Sequence, residues 1–376
     1  MIELLAAPDQ HALCDATSQF LGRTASSAQV REHAERGGGI DEQWWSVGAE
    51  LGWVSLLVPE SLGGGAVSEA GLLDLALIAE QLGRHAAPGA LAPISAAVSA
   101  LADPTAVGAQ RELLDAVVAG QKLLTWAVHE PDEAWDPTRP RTRIERRGSC
   151  YVMNGIKDRV EAGDQADHLL VGALLDGELV QFVVPADAPG VSVEPVWALD
   201  LTRRFATARF DGVELSEDQR VRSDRPAAQL IETQQQVLHV LQAAETAGAV
   251  GFVFEMTHTW TADRFAFGRP LGSYQAIKHR MADMVTLVHA IQAIVRDAAL
   301  AVSHGDARAS QLARIASLFT ATRSLEIMQD CVQIHGGIGV TWEHDLHLYL
   351  RRAVTNRAHY GTPEELRSSL SVLLDQ

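Results

Sequence analysis

QAIKHRMADMVTLVHAIQAIVRDAALAV, residues 275–302, is the stretch from which the rest of the chain can be read. Its apolar residues recur at 277, 281, 284, 288, 291, 295, 298 and 302, in steps of three and four. That spacing lines one side of an α-helix continuously for about seven turns. Helical periodicity extends from 226 to the end of the chain, broken only by short polar segments. Long helices with short breaks predict an antiparallel bundle.

Upstream the texture changes. Between about 123 and 222 lie YVMNGIKDRV, DHLLVGALL, ELVQFVVPA and VSVEPV, short apolar or β-branched runs set apart by Gly, Asp and Pro. This pattern predicts a compact β domain. AWDPTRPRTR, 134–143, carries too much proline and charge for a regular element and reads as an exposed loop. Residues 1–120 are again helical in character. GLLDLALIAEQLG, 71–83, has helical apolar spacing and is expected to end at Gly83, and GGIDEQWWSVGAELGW, 38–53, has Asp41 as its N-cap. VPESLGGG, 58–65, reads as a turn-rich break. The expected fold is mainly α with a central β domain. Its parts are an N-terminal helical domain (1–122), a middle barrel-like β domain (123–224) and a C-terminal four-helix bundle (225–376).

Composition narrows the function. A length of 376 residues exceeds one simple core, and 47% hydrophobic with 21% charged residues is ordinary for a globular protein. A net charge of −17 argues against nucleic acid or an anionic membrane as partner. A few local arginines are still enough for an anionic cofactor. Cys14, Cys150 and Cys331 are far apart and form no CxxC pair, so neither a disulfide framework nor a metal site is indicated. No uninterrupted apolar run approaches the roughly 20 residues of a membrane span. MIELLAAPDQ is acidic where a signal peptide is basic, and the expected location is cytoplasmic.

Several segments, in the right order, resemble the acyl-CoA dehydrogenase family. They are LGWVSLLVPESLGGG (51–65), AVHEPDEAWD (127–136), NGIKDRVEAGDQADHLLV (154–171), RFAFGRPLGSYQAIKHRMADM (264–284) and QIHGGIGVTWEHDLHLYLRRA (333–353). The last two are the most specific. The resemblance implies a tetramer of three-part subunits in which each FAD is shared between two chains. One chain's β-domain loops hold the isoalloxazine, and its neighbour's C-terminal segments hold the pyrophosphate and adenosine. A glutamate takes the α-proton of an acyl-CoA thioester while the β-hydrogen leaves as hydride to the flavin.

For the adenosine half, Arg264 matches the pyrophosphate arginine, whose guanidinium suits paired contacts with phosphate oxygens. Phe267 and Gln275 match cofactor-contacting positions on the same segment. Gln333, Gly336 and Gly337 match the second segment, where the absence of side chains lets backbone N–H groups approach the cofactor. Singly these would pass for a surface arginine, a core phenylalanine and a turn. In register together they point to FAD.

The isoalloxazine half departs from the family pattern. Its flavin-contacting threonine corresponds to His129 and its loop serine to Trp135. Its Trp-Ile-Thr run corresponds to Arg159-Val160-Glu161. An ionised carboxylate accepts hydrogen bonds but donates none, and it repels the negative charge of reduced flavin. Either the loop bends so that Glu161 faces water, or this chain's own flavin pocket is degraded. The second reading is preferred.

Counting on from QIHGGIG without a gap puts Tyr360-Gly361-Thr362 on the family's Glu-Gly-Thr, so a tyrosine holds the base position. A phenol of pKa about 10 is almost wholly protonated at neutral pH. Some relatives carry the base on the first bundle helix, a position that falls on Leu238; the nearest carboxylate, Glu245, is the fallback and otherwise reads as a helix-packing residue. Glu364 and Glu365 could reach the site only through a register slip that Pro363 opposes.

Three functions follow from this pattern. The favoured one is the non-catalytic subunit of a heteromeric, FAD-dependent acyl-CoA dehydrogenase, completing an unlike partner's site. Some actinobacterial relatives acting on steroid side chains are paired in this way. The second is a self-sufficient homotetramer with a relocated base, and the third a flavin-free structural or binding paralogue.

Overall fold

The computed structural model describes residues 7–374, so the first six residues of the acidic N-terminal stretch lie outside it. Six helices come first: α1 Pro8–Thr24, α2 Ser27–Glu35, α3 Glu42–Glu50, α4 Gly71–Arg84, α5 Leu91–Leu101 and α6 Ala109–Val118. Seven strands follow: β1 Leu124–Ala127, β2 Arg143–Arg147, β3 Cys150–Glu161, β4 His168–Leu175, β5 Glu178–Pro185, β6 Val191–Val196 and β7 Phe205–Leu215. After α7 (Ala227–Asp263) a two-residue hairpin of β8 and β9 (Phe265–Ala266, Arg269–Pro270) leads to α8 (Gln275–Ser303). The chain closes with α9 (Ala309–His335), α10 (Leu346–Ala358) and α11 (Pro363–Leu374). Helices, then a β domain, then helices is the expected order.

By packing, the chain forms two compact units. One comprises 32–75 and 88–238 and contains the sheet. The other comprises 1–31, 76–87 and 239–376 and contains the bundle.

In the sheet-bearing unit the strand order is β1-β4-β2-β3-β7-β6, with β5 on β4. The long antiparallel ladder of β3 and β7 is its backbone, and its register shifts between Lys157 and Val160. That irregularity is where Arg159 takes φ +48°, two residues before Glu161. Tyr151, Met153, Val171, Phe182 and Val184 pack the core of the sheet. AWDPTRPRTR carries no regular element before β2, as expected. Asp41 caps α3 by accepting from the Trp44 amide at 2.8 Å. The helix is shorter than expected because the chain turns at Gly52, φ +89°, where Trp53 packs back on Gly48.

In the bundle-bearing unit, Met281, Met284, Val288, Ile291, Val295 and Ala298 of α8 are buried, so the stripe does face the core. The helix α4 ends at Arg84, one residue beyond the expected stop at Gly83, and Gly83 has a second role. A Cβ on Gly83 would meet the Glu245 carbonyl oxygen at 1.8 Å, and one on Gly248 the Glu80 carbonyl oxygen at 1.9 Å. The two glycines face each other where α4 and α7 cross backbone to backbone, which only hydrogen side chains allow.

The expectation that no stretch could span a membrane needs correcting. By length and composition both α7 and α8 qualify. Their apolar character serves packing in α7, whose most apolar window is 89% buried, whereas the corresponding window of α8 is 28% buried.

Candidate functional site

The adenosine-half residues all stand on the bundle-bearing unit, and two segments distant in sequence meet there. Trp260, in the last turn of α7, stacks on His335 at the end of α9, with ring centroids 5.3 Å apart. The Arg264 guanidinium lies over the same tryptophan at 5.6 Å, a cation–π contact that leaves its donors outward. The loop beyond is held from within: the Leu271 amide donates to Arg264 O at 2.8 Å, and the Tyr274 hydroxyl to Ala266 O at 2.8 Å.

Arg264, Gln275, Gln333, Gly336 and Gly337 are exposed. Phe267 is 99% exposed, so within one chain it is no core residue. Gly336 has φ +67°, and no atom lies within 4 Å of where a Cβ on Gly336 or Gly337 would be. An open glycine turn beside an outward guanidinium and two amide side chains suits a pyrophosphate and adenosine. These residues fit that half of FAD.

His129, Trp135 and Glu161, on the sheet-bearing unit, make a different environment. Trp135 packs on His129 at 4.8 Å and against the buried Trp126 at 6.4 Å. Burial, then the charges of Arg159 and Lys157, push the His129 imidazole down to about 3, so it is neutral at ordinary pH. Glu161 is 2% exposed and does not face water. Its Oε1 lies 3.4 Å from Arg203 Nε, which also lies 3.7 Å from Asp200 Oδ2. A buried carboxylate held in an ion network thus stands at the position that the resemblance matches to a hydroxyl donor to flavin. These residues do not fit the isoalloxazine.

Beneath His129 lies a pair missed in the sequence. Lys157 Nζ donates to Glu130 Oε1 at 2.7 Å, and both side chains are buried. Burial works against the charged form of Glu130, but Lys157, the Thr142 hydroxyl and the Arg141 amide outweigh it and hold the carboxyl below its usual range. Burial pulls the Lys157 ammonium down while Glu130 pulls it up. The donors converging on one carboxylate favour the ionised form of Glu130. The only advance signal was a Glu four residues before the proline-rich loop and a Lys between Ile156 and Asp158 on a strand.

Tyr360, which the resemblance matches to the base position, lies on the bundle-bearing unit, 2% exposed and at φ +61°. Its ring lies against His359, centroids 3.7 Å apart, and its carbonyl accepts from His239 Nε2 at 3.1 Å. Leu238 is fully buried. Glu245 accepts from Arg352 Nη1 at 2.6 Å and from Asn356 Nδ2 at 3.3 Å. Arg352, wholly buried, also donates to the Ala87 carbonyl at 3.0 Å. Glu365 accepts from the Thr362 amide and hydroxyl at 2.8 and 2.9 Å, capping α11, and so is committed elsewhere.

Helices, a curled sheet and a long-helix bundle, in that order, are the architecture that the acyl-CoA dehydrogenase resemblance implies. The comparisons agree. Residues 7–119 match the acyl-CoA dehydrogenase N-terminal domain, and residues 229–371 the acyl-CoA dehydrogenase C-terminal domain. Acyl-CoA dehydrogenase IpdE2 of Mycobacterium tuberculosis is 31% identical over 369 residues, covering 97% of this chain and 95% of the relative. Among solved structures, a variant of the steroid ACAD Tcur3481-Tcur3483 superposes with a TM-score of 0.86 at 26% identity, covering 97% of each chain. The ChsE4-ChsE5 complex of Mycobacterium tuberculosis has the same fold, with a TM-score of 0.86 at 23% identity over 99% of this chain and 98% of that one. The chain belongs to the acyl-CoA dehydrogenase family, whose members are FAD-dependent oxidoreductases.

Proposed function

We propose that this chain is the non-catalytic subunit of a heteromeric acyl-CoA dehydrogenase. Its Arg264, Phe267, Gln275, Gln333, Gly336 and Gly337 hold the pyrophosphate and adenosine of an FAD whose isoalloxazine lies in an unlike partner. FAD supplies the hydride acceptor there, and this chain's residues bind and orient its far end. The observation that carries the reading is the contrast between the open Arg264–Gly337 surface and the buried Glu161–Arg203 pair at the flavin position. No residue of this chain is then asked to move the α-proton. Tyr360 is buried in the base position, and Glu245 is engaged by Arg352 and Asn356.

Two similar solved structures carry paired names, Tcur3481-Tcur3483 and ChsE4-ChsE5, in keeping with pairing of unlike chains. The word steroid in the first suggests a bulky, steroid-derived acyl-CoA as substrate of the assembly. The sparsely covered α8 supports further subunit contacts, as in a tetramer.

The visible spectrum of the chain purified alone tests the proposal. The expected sample is colourless and gains bound flavin and activity only with a second dehydrogenase-like chain. A yellow, fully loaded chain that desaturates acyl-CoA thioesters by itself overturns the reading.

A further inference from the structure

Helix α2 contributes one side chain that neither the family resemblance nor the chemistry of FAD singles out. Arg31 reaches the turn at 342–345 and uses its whole guanidinium there. Nη2 donates to Glu343 O at 2.9 Å and to Asp345 Oδ1 at 2.5 Å; Nε donates to the same carboxylate oxygen at 3.2 Å, and Nη1 to the Trp342 carbonyl. The arginine side chain is 17% exposed. Only a guanidinium has enough fixed donors to hold two successive carbonyls and a carboxylate at once.

The clamped turn is the downstream anchor of the glycine segment. Between Gly337 and Trp342 lie four residues, most of them in the 3-10 turn Gly336–Val340. Upstream, that turn is fixed by His335, whose Nδ1 donates to Cys331 O at 2.9 Å and whose ring lies on Trp260. Downstream, His347 Nε2 donates to Trp342 O at 3.1 Å, and its ring stacks on Trp342 at 4.7 Å. Ile338, Val340 and Trp342 remain 43%, 72% and 47% exposed, so little apolar packing holds this strip. Side-chain hydrogen bonds from Arg31, His335 and His347 lie at its ends.

We propose that Arg31 is a positioning residue for the FAD-lending surface, fixing the glycine turn through the carbonyls of Trp342 and Glu343. The inference rests on reading the Arg264–Gly337 surface as the adenosine half of an FAD site. The experiment uses the full-length chain in the assembly in which it purifies. It compares wild type, Arg31→Ala, Arg31→Lys and Arg264→Ala for FAD affinity by flavin fluorescence, melting temperature, and hydrogen exchange at amides 336–342.

Arg264→Ala is expected to weaken FAD binding and Arg31→Ala to weaken it about tenfold or more, with faster exchange confined to 336–342. Arg31→Lys keeps the charge pair with Asp345 and so restores the melting temperature. It cannot hold both carbonyls, so FAD affinity stays low. If Arg264→Ala weakens FAD and Arg31→Ala does not, the role of Arg31 is overturned while the surface reading stands. If Arg31→Lys restores affinity as well as melting temperature, Arg31 is only half of a charge pair and the proposal falls. If Arg264→Ala has no effect on FAD, the surface reading itself falls.

Discussion

Arg203 and Glu161 face each other inside the sheet-bearing unit, Nε to Oε1 at 3.4 Å, with side chains 6% and 2% exposed. On the proposed reading the pair occupies the place where a flavin-binding relative needs a hydroxyl donor. Removing one partner of a buried pair strands the other charge, at a cost of about 3–5 kcal/mol. Asp200, 3.7 Å from the same guanidinium, compensates in part. Glu161→Thr is therefore expected to destabilise the chain by about 3 kcal/mol, read as a lower urea midpoint. It should not make the chain bind flavin alone, because His129 and Trp135 still stand at the two other positions where the resemblance implies a flavin-contacting threonine and a loop serine.

His129 makes stability depend on pH with a definite sign. Its imidazole is held at about 3 in the fold against an ordinary 6.5. Between those values the unfolded chain binds the proton and the folded chain does not, so acid favours unfolding. The stabilisation is fully present above about 6.5 and is lost as pH falls towards 3. From pH 7 to pH 5 it amounts to roughly 2 kcal/mol. His129→Phe should flatten the urea midpoint over that window relative to wild type. An unchanged slope would show that the imidazole does not carry the effect.

Glu245 is predicted to be structural. Arg352, wholly buried, loses its carboxylate partner in Glu245→Gln, with a cost of about 2–4 kcal/mol. The turnover of the loaded assembly should match wild type at temperatures where the variant stays folded. Abolished turnover in a folded, FAD-loaded variant would make Glu245 a base.

Tyr360 separates loss of the base from loss of the flavin pocket. Tyr360→Phe removes only the hydroxyl, and the turnover of the assembly should stay within about twofold of wild type, a shift under 0.5 kcal/mol. Tyr360→Glu restores the family's carboxylate, yet the chain alone should remain inactive and colourless. Activity in that single variant would mean that its flavin half was intact.

The fold was legible because its signals are periodic and local. The α8 stripe at 281, 284, 288, 291, 295 and 298 is buried, and Asp41 caps α3. Gly83 does stand at the end of α4, but its close approach to Glu245 O exists only in three dimensions and left no signal in the sequence. The same limit hid the partners of Glu161 and Glu245. Arg203 and Arg352 lie 42 and 107 residues away in sequence, and no local pattern pairs them. Arg31 was invisible for the same reason, 314 residues from Asp345.

The central claim is that this chain completes another chain's cofactor site and cannot complete its own. If each FAD is shared between two subunits, a pair of unlike chains has two possible sites, and on the proposed reading the one facing this chain's β domain holds no flavin, because the Glu161–Arg203 pair is buried there. The most direct measurement is the flavin content of the purified assembly, by absorbance against protein mass. The account predicts one FAD for every two dehydrogenase-like chains and none on this chain alone. One FAD per chain, in an assembly of this chain only, would contradict it.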